Sequence, residues 1–190
     1  DLGCGLGPVT FYLSLKTKAK IIGVDIQKDV IELAKQSSTI NHLDNQVDFI
    51  RGDIRTIHQQ FETNQFDVVV SNPPFYKSKE TKQHNDLESL SIARHEIMLN
   101  LDDLFTSTKR LLSNGGMFYM IHRASRMDEI ILKLSAHNFV VKRLRFVYPK
   151  PGKPAKMLLI EARHNGSMGS INVEEPLYIY DEHTSYTKAI

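Results

Sequence analysis

Cysteine is nearly absent from this chain. Cys4 is the single one, which excludes an intramolecular disulfide framework and a cysteine-rich zinc site. The eight histidines show no H-E-x-x-H or comparable ligand spacing, so the sequence proposes no metal. Long apolar runs and a signal-peptide pattern are missing too, so a soluble, cytoplasmic protein with no membrane role is expected. Neither sign of charge dominates: 24 Lys and Arg stand against 22 Asp and Glu. A polyanion therefore has to be met by a local basic patch rather than by global attraction. There is no internal repeat and no low-complexity segment, and nothing fixes an oligomeric state. What remains is 190 residues, 41% hydrophobic and 24% charged, the composition of one ordinary domain long enough to bury a core.

Read along its length, the chain alternates strand and helix. Ile21-Ile22-Gly23-Val24 is a short β-branched run, and Gln27 to Ile40 places Val30, Ile31, Leu33 and Ala34 at helical spacing. Val47-Asp48-Phe49-Ile50 and Phe66-Asp67-Val68-Val69-Val70 read as further strands, the second running straight into Asn72-Pro73-Pro74. A helical pattern from about Leu87 to Leu112 is expected to stop at Asn114-Gly115-Gly116 before the strand Met117 to Ile121. Met127 to His137 reads as another helix. Val140 to Tyr148 and Met157 to Ala162 read as strands whose short connection favours an antiparallel pair. The pattern predicts an α/β fold: a doubly wound, Rossmann-like, mostly parallel sheet with an antiparallel C-terminal strand pair. Ligands of such sheets sit outside the carboxyl ends of the strands. The expected organisation is a catalytic domain over residues 1–164, its first strand truncated, and a C-terminal extension over 165–190. The opening Asp1-Leu2-Gly3, without methionine and already inside a loop of functional type, reads as the start of a fragment.

Gly3-Cys4-Gly5-Leu6-Gly7 has G-x-G-x-G spacing, which lets backbone turn tightly and approach a ligand where any Cβ would intrude. The dinucleotide fingerprint needs its third glycine one position later, where Pro8 stands, and Asp1 beside the loop would repel a pyrophosphate. A phosphate-free cationic cofactor suits that acid better. S-adenosylmethionine carries a sulfonium and an ammonium. Asp25 ends the next strand at a distance where a carboxylate accepts from both ribose hydroxyls of an adenosine. Asp53, closing the strand after that, is placed to accept from the adenine amino group. Each acid also reads as an ordinary turn or helix cap. The cofactor-binding set is Asp1, Gly3, Cys4, Gly5, Gly7, Asp25, Ile26, Asp53, Ile54 and Asn72, with Cys4 as a small filler rather than a nucleophile.

With Asn72-Pro73-Pro74-Phe75 added to this loop and its two acids, the chain resembles the class I methyltransferases that modify planar amino groups. Ala93-Arg94-His95-Glu96, Leu111 to Gly116 and Pro149 to Lys156 make it similar, within that superfamily, to the bacterial tRNA(Val) adenine-N6 methyltransferase family. The resemblance implies methyl transfer from S-adenosylmethionine to adenine N6 in RNA, with tRNA the substrate and Asn72, Pro73, Pro74 and Phe75 catalytic. The chemistry supports this independently. An exocyclic amine is a poor nucleophile because its lone pair is delocalised into the ring. The Asn72 side-chain carbonyl and the Pro73 backbone carbonyl can each accept one N–H, drawing that pair back onto nitrogen. Phe75 offers a face for an extruded base.

Positive charge gathers in Lys142, Arg143, Arg145, Lys150, Lys153 and Lys156, and again in Lys77, Lys79 and Lys82. Lys77, Lys150, Lys153 and Lys156 are the candidate RNA contacts. Arg94, His95 and Glu96 receive no chemical role. The rival readings are guanine-N2 methylation of rRNA, glutamine methylation of a protein, and a non-catalytic scaffold binding S-adenosylmethionine or RNA.

Overall fold

The β-branched runs form strands where the sequence predicts them. A computed structural model describes residues 1–74 and 99–189. The chain enters through helix α1 (Pro8–Lys16) and strand β1 (Ile21–Asp25), followed by α2 (Lys28–Ile40) and β2 (Val47–Arg51). A 3-10 turn (Ile57–Gln60) leads to β3 (Phe66–Ser71). From residue 99 onward come α3 (Leu101–Leu111), β4 (Leu112–Arg123), α4 (Met127–Ala136), β5 (Phe139–Tyr148) and β6 (Met157–His164). Two short edge strands, β7 (Asn172–Val173) and β8 (Leu177–Tyr178), lie in the tail.

β1 pairs in parallel with β2, and β3 in parallel with β4. Leu2 makes these one sheet, because it bridges in parallel to Val24 on one side and to Ser71 on the other. β6 then runs antiparallel to both β4 and β5, which is the expected mixed sheet. α1 and α2 pack on β1 and β2 around Cys4, Ile31, Ala34, Val47 and Phe49. α3 and α4 cover the main core, which includes Leu104, Phe105, Phe118, Ile130, Leu134 and Phe139. Those six side chains are all 2% exposed or less, so the two halves are stabilised chiefly by apolar burial of the order of 1.5–3 kcal/mol per large side chain.

Two boundaries differ from expectation. Of the helix predicted from Leu87 to Leu112, residues 87–98 lie outside the described part, and the described helix opens at Leu101 on a capping box. Asn100 accepts from the Asp103 amide at 2.9 Å while the Asp103 carboxylate accepts from the Asn100 amide. Asn114-Gly115-Gly116 does not stop a helix. The chain is already strand at Leu112, and Gly115, at φ +78°, sits inside β4. It takes up a register irregularity, for two steps along β3 (Phe66 to Val68) face five along β4 (Leu112 to Met117).

Candidate active site

All the parallel strands end on one edge, so Asp25, Asp53 and Asn72 meet there although far apart in sequence. The glycine loop closes that edge. Gly3 and Cys4 donate to the Val24 carbonyl at 2.8 and 2.9 Å, and Gly7 donates to the Cys4 carbonyl at 2.9 Å. Gly3, Gly5 and Gly7 have φ of +76°, +55° and +87°, left-handed values that side chains with a Cβ adopt at a cost of roughly 1–2 kcal/mol. Their surroundings separate their roles. A Cβ at Gly7 would lie 2.7 Å from the Phe49 ring, so this glycine permits close packing under α1. A Cβ at Gly5 would meet nothing within 4 Å, so this one faces open space. Cys4 is buried, and burial together with the Asp25 charge pushes its thiol up to about 12; it is a packing residue, as its reading as a filler requires.

Asp25 is 8% exposed. Its Oδ2 accepts the Gly5 amide at 3.0 Å and its Oδ1 accepts the Gln27 amide at 2.9 Å. A carboxylate offers about four lone-pair positions, so the group that holds the loop in shape keeps capacity for ligand hydroxyls. Asp1 is half-buried and accepts from the Thr10 hydroxyl at 2.7 Å, which ties the loop's acid to α1. Asp53 behaves as a turn residue: its Oδ1 accepts the Arg55 amide at 2.9 Å, and the Arg55 guanidinium grips both oxygens. Arg55 holds that carboxyl below the usual range. Neither Thr10 nor Arg55 stood out in the sequence, although Asp53-Ile54-Arg55 is the local pattern of such a turn. Ile54, next to Asp53, is buried within reach of Gly3, and Ile26 is half-buried after Asp25.

Asn72 leaves β3 directly after Ser71, whose buried hydroxyl donates to the Leu2 carbonyl at 2.8 Å while Leu2 donates to Val70 at 2.9 Å. That ladder sets the Asn-Pro turn beside the glycine loop. Asn72 is exposed and Pro73 buried, as suits a side chain offered to a ligand from an anchored backbone. Pro74 ends the described stretch, and Phe75, Lys77, Lys79, Lys82, Arg94, His95 and Glu96 lie outside the described residues. A cavity of about 350 Å³ runs from Asn72 and Val9 across the sheet to Tyr119, Glu161 and Arg143. Burial and the Glu161 charge raise the Tyr119 phenol above its ordinary value.

The basic cluster divides in two. Arg143 bonds to Glu161 and to Glu174, the latter at 3.0 Å, and Arg145 donates to the Glu175 carbonyl at 3.1 Å with Glu174 also 3.9 Å away. These arginines fasten the tail to β5 and are not free charge for phosphate. Lys142 is likewise engaged, with the Ser167 carbonyl. Lys150, Lys153 and Lys156 instead sit on the β5–β6 loop. Because Arg123, at the carboxyl end of β4, pairs with Met157, that loop lies on the same edge as Asn72.

The residues present fit a nucleoside cofactor bearing positive charge and no phosphate: acids at the loop, a glycine facing open space, and a strand-end carboxylate with lone pairs to spare. The chain belongs to the methyltransferase domain family, whose model matches residues 1–163, and is an S-adenosylmethionine-dependent methyltransferase domain. It is 28% identical over 188 residues to the tRNA1(Val) (adenine(37)-N6)-methyltransferase of Phocaeicola vulgatus, covering 96% of this chain and 76% of that protein. The enzyme of the same name from Porphyromonas gingivalis is 30% identical over 166 residues, which cover 86% of this chain and 64% of the relative. Among solved structures, a predicted O-methyltransferase from Agrobacterium tumefaciens superposes with a TM-score of 0.76 at 18% identity, covering 100% of this chain and 84% of that one. This last likeness concerns the fold alone.

Proposed function

We propose that this chain methylates the exocyclic N6 amino group of an adenine in tRNA. The observation that carries the reading is the Asn72-Pro73 turn, anchored through Ser71 and Leu2 to the glycine loop. The names of the two tRNA-modifying relatives support the choice of base and RNA. Asp1, Gly3, Cys4, Gly5, Gly7, Asp25, Ile26, Asp53 and Ile54 hold S-adenosylmethionine in this reading, Asn72 standing at the boundary with the acceptor. Bound there, S-adenosylmethionine supplies a methyl group activated by a sulfonium.

The chain's own contribution is to make the amine nucleophilic. The Asn72 side-chain carbonyl and the Pro73 carbonyl each accept an N–H, which favours a pyramidal nitrogen with its lone pair localised. Proline fixes the backbone, so the acceptors need no reorganisation. Pro74 continues the rigid path and Phe75 stacks on the base. No strong general base is needed, because the amine becomes acidic only as it is alkylated. Residues 1–164 serve as the catalytic domain and 165–190 as an extension, with Lys77, Lys150, Lys153 and Lys156 meeting RNA phosphates. Among the described residues no helix is long and apolar enough to cross a membrane; a cytoplasmic location belongs to the same proposal.

The test is to incubate the chain with labelled S-adenosylmethionine and unmodified tRNA, digest the RNA and identify the labelled nucleoside. Label on N6-methyladenosine is expected, reduced about 10²–10³-fold in Asn72→Ala, the usual cost of losing one aimed hydrogen-bonding group. Label on guanine replaces the substrate, and label found only in protein refutes base modification.

A further inference from the structure

The tail ends in a hairpin whose aromatic content no core explains. Ile179 and Tyr180 donate to the carbonyls of Tyr148 and Pro149, both at 2.9 Å, so the tail continues the sheet edge up to the start of the β5–β6 loop. It then folds back: Asp181 donates to the Ser185 carbonyl at 2.9 Å, Thr187 donates to Ile179 at 3.0 Å, and Tyr180 bridges to Tyr186. Two tyrosine pairs result. Tyr148 and Tyr178 have ring centroids 5.4 Å apart, and Tyr180 and Tyr186 have centroids 4.9 Å apart at an interplanar angle of 33°. Tyr186 is nonetheless 67% exposed. Paired with Tyr180 on one side, Tyr186 still leaves most of its surface to solvent.

We propose that this hairpin, with the β5–β6 loop, is an RNA-binding surface on which Tyr186 stacks an unpaired base near the modified nucleotide while Lys153 and Lys156 meet the adjoining phosphates. It rests on the RNA reading above and adds to it the role of the tail. Exposed aromatics beside basic loops suit single-stranded segments, since every base has a face to stack and every nucleotide a phosphate to neutralise. Lys153 and Lys156 are exposed, and Gly152, at φ +74° with open space around it, turns the loop that carries them. The acids nearby are largely committed. Glu174 pairs with Arg143, and Asp181 Oδ1 accepts the His183 and Ser185 amides at 2.8 and 2.9 Å. Asp181 keeps its charge, and Glu175 and Glu182 are exposed; these acids oppose the lysines, as Lys188 at the end of the hairpin adds to them.

The experiment compares the chain with Tyr186→Ala, Tyr186→Leu and Tyr186→Phe, measuring Kd for an unmodified tRNA and for a fully paired RNA duplex across a salt series. Alanine and leucine are expected to weaken tRNA binding about tenfold, within the range for one stacked base. Phenylalanine retains it, and duplex affinity and the salt slope stay as in the parent. Both alanine and leucine remove the ring pair with Tyr180, so the hairpin amides of each variant are followed by NMR, and a loss with those resonances in place marks the aromatic face rather than hairpin collapse. Unchanged tRNA affinity in both overturns the surface while leaving the RNA reading intact, and this is also the outcome if the hairpin serves a protein partner. Equal losses on tRNA and duplex overturn it as well. A parent chain that binds no tRNA and labels only protein fails at the earlier reading and takes this one with it.

Discussion

Gly5 and Gly7 look alike in the sequence, yet the structure assigns them opposite failures on substitution. A Cβ at Gly7 would stand 2.7 and 2.8 Å from two atoms of the Phe49 ring and 3.0 Å from Phe11. Phe49 is 1% exposed, lies 5.3 Å from Phe11 centroid to centroid, and covers Gly23, where a Cβ would meet it at 2.6 Å. The ring therefore cannot yield without pressing on β1. Left-handed strain and overpacking together put Gly7→Ala at about 2–5 kcal/mol. Gly5→Ala carries only the strain of its +55° φ, about 1–2 kcal/mol. At about 2–4 °C per kcal/mol for a domain of this size, Gly7→Ala should melt roughly 10 °C below the parent and Gly5→Ala roughly 4 °C below it. The order reverses for ligand: Gly5→Ala puts a methyl into the open space, and S-adenosylhomocysteine titration of the folded variant should show about tenfold weaker binding, or ~1.4 kcal/mol. A double-mutant cycle with Phe49→Leu isolates the clash, and a coupling of about 1–2 kcal/mol is expected for groups in contact. Gly7→Ala melting no lower than Gly5→Ala, or strict additivity with Phe49→Leu, refutes the packing argument.

His122 is fully buried, and burial and Arg126 lower its imidazole to about 4. Between pH 6.5 and 4 the unfolded chain then takes up a proton that the folded one refuses. Stability should thus fall by roughly 3 kcal/mol as pH drops through that window, read by urea denaturation, and an NMR titration placing this imidazole near 6.5 removes the effect. Asp53 works through a lowered value: its contribution is present above pH 3.8 and lost as pH falls through the folded-state value. With side chains 36% and 26% exposed, the Arg55–Asp53 pair should contribute no more than about 1 kcal/mol; a larger loss in Asp53→Asn at pH 7 and moderate salt would mean that the turn itself depends on the acid. Arg143→Ala should leave the salt slope of tRNA binding unchanged, because Glu161 and Glu174 already occupy that guanidinium. Replacing Lys150, Lys153 and Lys156 by alanine should lower the slope by about 2, the value for three single-strand phosphate contacts.

Much of the fold was legible because burial writes itself as pattern. β1, β2 and β3 each carry a short cluster of β-branched and aromatic residues closed by a polar one (Asp25, Arg51, Ser71), and α2 turns Ile31 and Ala34 inward at helical spacing. Helix α1 was not legible, since it buries Thr10 and Ser14 and leaves Tyr12 and Leu15 exposed at 60% and 77%, the reverse of an amphipathic signal. Asn114-Gly115-Gly116 misled for a steric reason. A Cβ at Gly116 would lie 3.0 and 3.1 Å from the Ser113 and Asp67 carbonyl oxygens, so glycine serves a close strand approach there instead of a helix end. Among the site residues, Asp25 and Asn72 could be placed from the strands they terminate. The partners of Arg143 could not, because Glu161 and Glu174 are 18 and 31 residues away and charge counting does not know who is opposite whom.

Strand direction explains why the chemistry and the basic loop share an edge. In parallel strands every carboxyl end points one way, so Asp25, Asp53 and Asn72 converge whatever their separation in sequence. β6 is antiparallel to β4 and to β5, which leaves β5 parallel to β4 with its own carboxyl end on that same edge. A parallel return from β5 would need a crossover of a dozen or more residues. The short Pro149–Lys156 connection permits only a turn, and a turn at that end of β5 has to stand beside the Asn-Pro edge. Lys150, Lys153 and Lys156 thus owe their position to the brevity of the loop that carries them. Lengthening that loop with a flexible insert after Gly152 should weaken tRNA binding without disturbing cofactor affinity, since β1, β2 and the glycine loop are held by other contacts.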